Sequence, residues 1–392
     1  MKSTTKKISI VELLSLLPDE RLNKIAKDTR VDYYVKVLDG KSVFCLILYS
    51  LIECQRNSLR TMEDIFNSPA FKFLFNLDTE KTVKFNSISE RLTKINIEFF
   101  KETYELIFEF YSKHFSQEEI ERHKLVRVDS TMVAEAANKL KQGMGGGKKK
   151  DGKKQIKYTM AYDGDFPCMS EVFTDKKYLS EDLTIPRVVY QFAKQNKNAV
   201  FTFDRGVHKR EIYCRLQKEV TPFVTRIKKK SRYKVIKTIE EGDNKLLGTL
   251  VLNSDQEIQL GKPNSQKYLE ETFRLIIAIN PNTGTMYYFL TNIFDKDVAD
   301  ILSYYKKRWD IEVFFRFLKQ ELNFAHITST SENGMMVMMY MTLIASMLVL
   351  VYKRMNQVGY KTAVRRISLE LNELIIKLVV KNCGGDPSLV FR

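Results

Sequence analysis

From Met335 to Tyr352 the chain reads MMVMMYMTLIASMLVLVY, with no charged side chain. A helix that is apolar on every face has to be buried. It either crosses a bilayer, which takes about 20 residues, or runs through the middle of a large protein core. The run is the only one of its kind in the 392 residues, and it contains Thr342 and Ser346. The expectation is a core helix, with a membrane span as the alternative. A chain of this length makes roughly two or three domains and can bury such a core without disulfides or a structural metal.

Charge narrows the partners. Lys and Arg number 64 against 48 Asp and Glu, a net charge of +16. In a globular chain such a surplus suits a polyanion, either nucleic acid or an anionic membrane face. With 44% hydrophobic residues, 16 Gly and 8 Pro, a mostly disordered or fibrous chain is excluded. Cys45, Cys54, Cys168, Cys214 and Cys383 are scattered and form no CxxC pair. That argues against a disulfide framework or a Cys-rich zinc site and for a reducing cytoplasm. The basic start is followed by Glu12, Asp19 and Glu20 rather than by a secretory apolar stretch.

The first 118 residues read as helices joined by short turns. Ser58 can cap a helix reaching Phe66, and Ser87-Ile88-Ser89-Glu90 has the capping-box spacing that would open one long helix to His114. Arg91 and Lys94 on that helix suit a reader of DNA ends, and a plain helical bundle fits as well. From Lys124 the texture changes. A short strand ends on Asp129, two more flank a turn at Asp163-Gly164-Asp165, and a helix (185–195), a strand (199–203) and a helix (209–217) follow. Mostly antiparallel strands fill 221–294, helix returns from Val298 to Leu322, and a basic amphipathic tail closes the chain. The Gly/Lys segment from Lys141 to Lys154 reads as a solvated loop able to touch phosphates.

The helix expected over Ser303–Lys319 carries the strongest chemical signal. At 100° per residue, Tyr305, Arg308, Glu312 and Lys319 fall on one stripe beside an apolar seam. An i,i+4 ion pair explains Arg308 and Glu312 but neither Tyr305 nor Lys319. Trp309, the only tryptophan, lies around the helix from the stripe, where packing is preferred over stacking on a base. The run Lys228, Lys229, Lys230 and Arg232 is a candidate DNA track, with a solvated hairpin face as its rival.

The spacing Tyr-x2-Arg-x3-Glu-x6-Lys resembles the Y-R-E-K signature of bacterial insertion-sequence transposases of the DDE type. The resemblance implies a ribonuclease H-like mixed α/β sheet flanked by helices, with a β-rich insertion and an all-α N-terminal region. It pairs Glu312 with two aspartates. Asp129 suits the one on the first strand, and Asp204, in Asp204-Arg205-Gly206, suits the one after the fourth. The implied organisation is an end-binding region (1–118), a catalytic domain in two parts (119–217 and 297–355) around the insertion (218–296), and a basic tail (356–392). Three carboxylates suit two Mg²⁺ ions, with Mn²⁺ able to substitute, in metal-assisted displacement at phosphorus. Tyr305, Arg308 and Lys319 then become DNA contacts. The implied partners are terminal inverted repeats, target DNA and a second copy of the chain, without membrane or small-molecule substrate, in the bacterial cytoplasm at the nucleoid. An inactive DNA-binding derivative and a nuclease or resolvase on the same fold are the rivals.

Overall fold

Short β-branched and aromatic runs, Leu125 to Val128 and Val200 to Phe203, favour a pleated and buried backbone, and they pair in parallel. The computed structural model describes residues 7–15, 19–54, 56–115, 124–136, 143–145, 153–242, 245–261, 270–326, 328–389 and 391. The chain divides into two units. One comprises Met1–Ser116, Val133–Gln155 and Phe315–Arg392, and the other Gln117–Met132 and Ile156–Phe314.

Helices dominate the first unit: α1 (Ile10–Ser15), α2 (Asp19–Asp28), α3 (Gly40–Glu53), α4 (Leu59–Asn67), α5 (Pro69–Leu74), α6 (Phe85–Lys94) and α7 (Ile97–Phe115). The expected Ser58 cap forms, its Oγ accepting the Thr61 N–H at 3.0 Å. The expected single helix from Ser87 to His114 does not. Ser87 lies inside α6, whose first amide, Phe85 N, donates to Glu63 at 2.7 Å. The chain breaks at Ile95-Asn96, where Asn96 Oδ1 accepts the Glu98 N–H and opens α7. Arg91 is committed internally, donating to Val31 O at 2.7 Å and Leu38 O at 2.8 Å. It is therefore not a free contact for DNA. Lys141–Lys154 lies largely outside the described residues; Gly143–Gly145 and Lys153–Lys154 belong to the strands below and their approach.

The second unit is built on a mixed sheet of β1 (Leu125–Ala136), β2 (Met144–Gly145), β3 (Lys153–Tyr162), β4 (Pro167–Phe173), β5 (Val200–Phe203), β6 (Phe223–Arg226), β7 (Tyr233–Glu241), β8 (Leu246–Leu247), β9 (Leu250–Leu260), β10 (Thr272–Ile279) and β11 (Met286–Thr291); β2 and the ends of β1 and β3 fall in the first unit. The neighbours run β4-β3-β1-β5-β6, then β11-β10-β9-β7. β1, β5 and β6 are parallel, whereas β3 and β4 form an antiparallel hairpin. This first-to-fifth strand order is the ribonuclease H-like arrangement. The β-rich strands extend the same sheet through the antiparallel pairing of β6 with β11.

Helices α8 (Glu181–Gln195) and α9 (Arg210–Lys218) follow β4 and β5. Helix α10 (Val298–Lys306) covers one face of β5 and β6, burying Ile301, Tyr304 and Tyr305 against Val224, Ile276 and Phe289. The helix expected from Val298 to Leu322 is interrupted at Lys307-Arg308 and restarts as α11 (Trp309–Glu321), which passes into the first unit at Phe315. Arg127, 2% exposed, explains the break. Its Nε donates to Lys307 O at 3.1 Å, and that carbonyl then bonds Asp310 N in a tight turn.

The first unit closes with α12 (Glu332–Asn356) and α13 (Tyr360–Asn382). Helix α12 carries the uncharged run and packs on α7, α3, α6 and α13. Among the described residues it is the one helix long and apolar enough to cross a membrane, and 83% of its apolar window is buried inside the protein. The run is a core helix, as expected. All five cysteines are free.

Candidate active site

Val128 of β1 stands opposite Phe203 of β5, and the next residue along each strand direction is an aspartate. Asp129 and Asp204 therefore sit side by side on strands about 4.8 Å apart, Asp204 just past the end of β5 and Asp129 where β1 leaves its pairing with β5; the short strand expected to end on Asp129 instead runs on to Ala136. The two residues singled out from sequence are brought together by register alone.

Arg308, in the turn before α11, ties Asp129 to the helix. Its Nη1 lies 3.5 Å from Asp129 Oδ2, while Nη2 donates to Glu312 Oε1. The guanidinium is buried, and its Nε has no hydrogen-bond partner. It also acts electrostatically on Asp204. Arg308 thus bridges Glu312 and Asp129, and Asp129 is the sheet neighbour of Asp204. Among the described residues no three His, Cys, Asp or Glu side chains are placed to hold a metal ion together.

The two aspartates differ in environment. Burial pushes the Asp129 carboxyl up to about 7, opposed by the Ser130 N–H at 2.7 Å and by Arg308. Burial acts in the same direction on Asp204, but the Arg205 N–H, Arg308, the Tyr305 hydroxyl and Arg226 outweigh it and hold that carboxyl below the ordinary range. The geometry is a chain of donors. Arg226 Nε donates to the Tyr305 hydroxyl at 2.8 Å, and the hydroxyl donates to Asp204 Oδ1 at 3.1 Å. Burial raises the Tyr305 phenol to about 12, so it keeps the proton that it donates.

The remaining expected residues fall into place unevenly. Lys228, Lys229, Lys230 and Arg232 are exposed on the turn between β6 and β7. Part of this turn lines a small cavity with Arg205, His208 and Arg210, just past Asp204. Lys319 follows Glu312 by two turns of α11, half-buried, with its ammonium held below the usual range by burial. It belongs to the first unit. The packed position expected for Trp309 is corrected: as the first residue of α11, it is 53% exposed. Asp163 accepts the Asp165 and Phe166 amides and closes the β3–β4 turn, as its spacing suggested. Asp310 pairs with Arg127 at 2.9 Å.

Sequence reasoning missed Arg127, which looks like a charge in an apolar strand, and Glu181, which looks like an ordinary acidic helix start. Nothing in the spacing signals the first. Nor does it signal the second, since Glu211 and Asp182 both lie nearer the Asp-Arg-Gly turn in sequence.

The family model described as "Transposase DDE domain" matches residues 121–348, more than half of the chain. The chain belongs to the DDE transposase family. A protein of Sinorhizobium fredii (strain NBRC 101917 / NGR234) named as transposase y4zB is 26% identical over 208 residues, covering 52% of this chain and 55% of that protein. One of Geobacillus stearothermophilus, named as a transposase for insertion sequence element IS5377, is 27% identical over 222 residues, covering 56% of this chain and 54% of that protein. This DDE transposase chain spans about half the length of these curated relatives. Among solved structures, the cryo-EM structure of the piggyBac transposase synaptic complex with hairpin DNA is similar, with a TM-score of 0.47 and 12% identity over 96% of this chain and 83% of that one. The family is one of divalent-metal-dependent enzymes.

Proposed function

We propose that this chain cuts phosphodiester bonds at the ends of an insertion sequence and joins the freed ends to target DNA, with Asp129, Asp204 and Glu312 holding two divalent ions. Mg²⁺ is the physiological ion in this reading and Mn²⁺ a substitute. The observation that carries it is that Asp129 and Asp204 are neighbours by strand register and that Arg308 bridges Asp129 to Glu312. The residues suit the group: carboxylates are the hard oxygen donors that Mg²⁺ takes, and a buried carboxylate such as Asp129 gains from a cation beside it. When bound, two such ions stabilise the attacking and leaving oxygens of an in-line displacement and activate the attacking water or 3′-hydroxyl.

The chain's own side chains do the rest. Tyr305 and Arg226 keep Asp204 ionised and oriented. Arg308 can exchange its carboxylate partners for a phosphate, which a guanidinium binds bidentately, and Lys319 adds a point contact. The turn from Lys228 to Arg232 extends the electrostatic track. Trp309, exposed next to Arg308, suits stacking on an unpaired base. Residues 1–118 bind the element ends, and the enzyme works as a homodimer on paired ends in the bacterial cytoplasm.

The test is a supercoiled plasmid carrying the element ends, incubated with Mg²⁺. Wild type nicks and releases the element, whereas Glu312→Gln binds the ends without cutting. Cutting by that variant at the wild-type rate removes Glu312 from the site. Cutting without joining of pre-cleaved ends points instead to a nuclease on this fold.

A further inference from the structure

The first turn of α8 brings a fourth carboxylate to the end of the sheet. Glu181 opens that helix behind Ser180, whose Oγ accepts the Asp182 N–H at 3.3 Å. A Cβ built on Gly206 would fall 1.4 Å from Glu181 Oε2 and 2.5 Å from the carboxyl carbon. The carboxylate therefore lies against the bare Cα of Gly206, a closeness only glycine allows. Asp182 takes the amides that follow, accepting His208 N at 2.5 Å and Lys209 N at 2.9 Å. The segment after Asp204 is thus held on the start of α8 from Gly206 to Lys209.

Lys157 reaches the same helix start, its ammonium bonded two residues before Glu181. It stands on β3, 3% exposed, with Nζ donating to Leu179 O at 2.6 Å. Its charge acts through space on Glu181 and on Asp129, and the Glu181 charge acts likewise on Asp204. A buried ammonium needs a carboxylate, and without Glu181 the next one available is Asp129.

We propose that Glu181 is a positioning residue of the active site, seating the Asp204 turn through Gly206 and compensating Lys157 so that Asp129 and Asp204 stay available to divalent cations. This rests on the reading of Asp129, Asp204 and Glu312 as the metal-holding set.

The experiment is Mn²⁺ binding to the full-length, DNA-free protein, followed by the EPR signal of the free ion. It compares wild type, Asp129→Asn, Glu181→Gln, Gly206→Ala, Lys157→Met and the Glu181→Gln/Lys157→Met double variant, each checked for an unchanged melting temperature. Glu181→Gln should weaken binding by about tenfold, the scale of outer ligand-supporting contacts. Gly206→Ala, which displaces the carboxylate without removing it, should do the same. The double variant should recover most of the loss, because the uncompensated ammonium is gone; a purely structural role for Glu181 would give no recovery. Wild-type affinity in Glu181→Gln, or a double variant as weak as the single, overturns the proposal. Wild-type binding that is absent, or that Asp129→Asn leaves unchanged, overturns the metal-holding set itself and the proposal with it.

Discussion

Arg127 bonds Asp310 at 2.9 Å, and this pair joins the strand that carries Asp129 to the helix that carries Glu312. The same guanidinium donates to Leu125 O, Asp163 O and Lys307 O, so all three of its nitrogens are engaged at this junction. Arg127→Met keeps the bulk and removes every one of these bonds. It should cost roughly 3 kcal/mol, since buried carbonyls lose their donor while Asp310, half exposed, is partly rehydrated. Chemical unfolding followed by Trp309 fluorescence measures this locally. A loss under about 1 kcal/mol would mean that the junction is held by packing instead.

Tyr305→Phe tests the donor chain onto Asp204. Without the hydroxyl, Arg226 Nε loses its acceptor and Asp204 loses a donor at 3.1 Å. End binding should persist while the cleavage rate falls about tenfold, the effect of a misheld ligand rather than a lost one. An unchanged rate would show that Asp204 is oriented by Arg205 and Arg226 alone.

Arg308 occupies the position of a counter-cation between Asp129 and Glu312. Two outcomes are expected of Arg308→Ala, in opposite directions. In the DNA-free protein Mn²⁺ should bind more tightly, because the competing guanidinium is gone. Binding to end DNA should weaken, with a shallower salt dependence, because a phosphate contact is lost. Weaker Mn²⁺ binding in the variant would mean that Arg308 orients the carboxylates rather than competing for them.

The pH dependence follows from Asp129, whose carboxyl burial pushes up to about 7 among Arg308, Glu181 and Asp204, with Lys157 nearby. Between the ordinary carboxylate value, about 4, and 7 the folded chain holds a proton that the unfolded chain has released. Stability of the metal-free protein therefore falls as pH rises through that window. A divalent ion must displace the proton below about 7, so Mn²⁺ affinity should climb from pH 6 to 7 and level off above. Asp129→Asn should flatten both profiles. An affinity independent of pH in wild type would contradict the assignment.

Much of the site could be read from residues. The runs Leu125 to Val128 and Val200 to Phe203, each followed by an aspartate, could be read as strands, the i,i+4 spacing sets Glu312 against Arg308, and parallel register puts Asp129 beside Asp204. What could not be read depends on partners far along the chain. The stripe expected on one unbroken helix assumed that Lys307 O bonds up the helix, whereas the buried Arg127 claims it. The capping box at Ser87 lost to Glu63, an acceptor from another helix. Glu181 gained its place from a missing Cβ on Gly206, which no spacing rule reveals. The apolar run from Met335 was legible because a helix without a polar face leaves few choices.

The most direct test of the central claim is anomalous diffraction from crystals of the protein with a cleaved element end and Mn²⁺. Manganese is expected about 2.2 Å from carboxylate oxygens of Asp129, Asp204 and Glu312, with the Arg308 guanidinium moved onto a phosphate. Manganese bound elsewhere, with Arg308 still bridging Asp129 and Glu312, would contradict it.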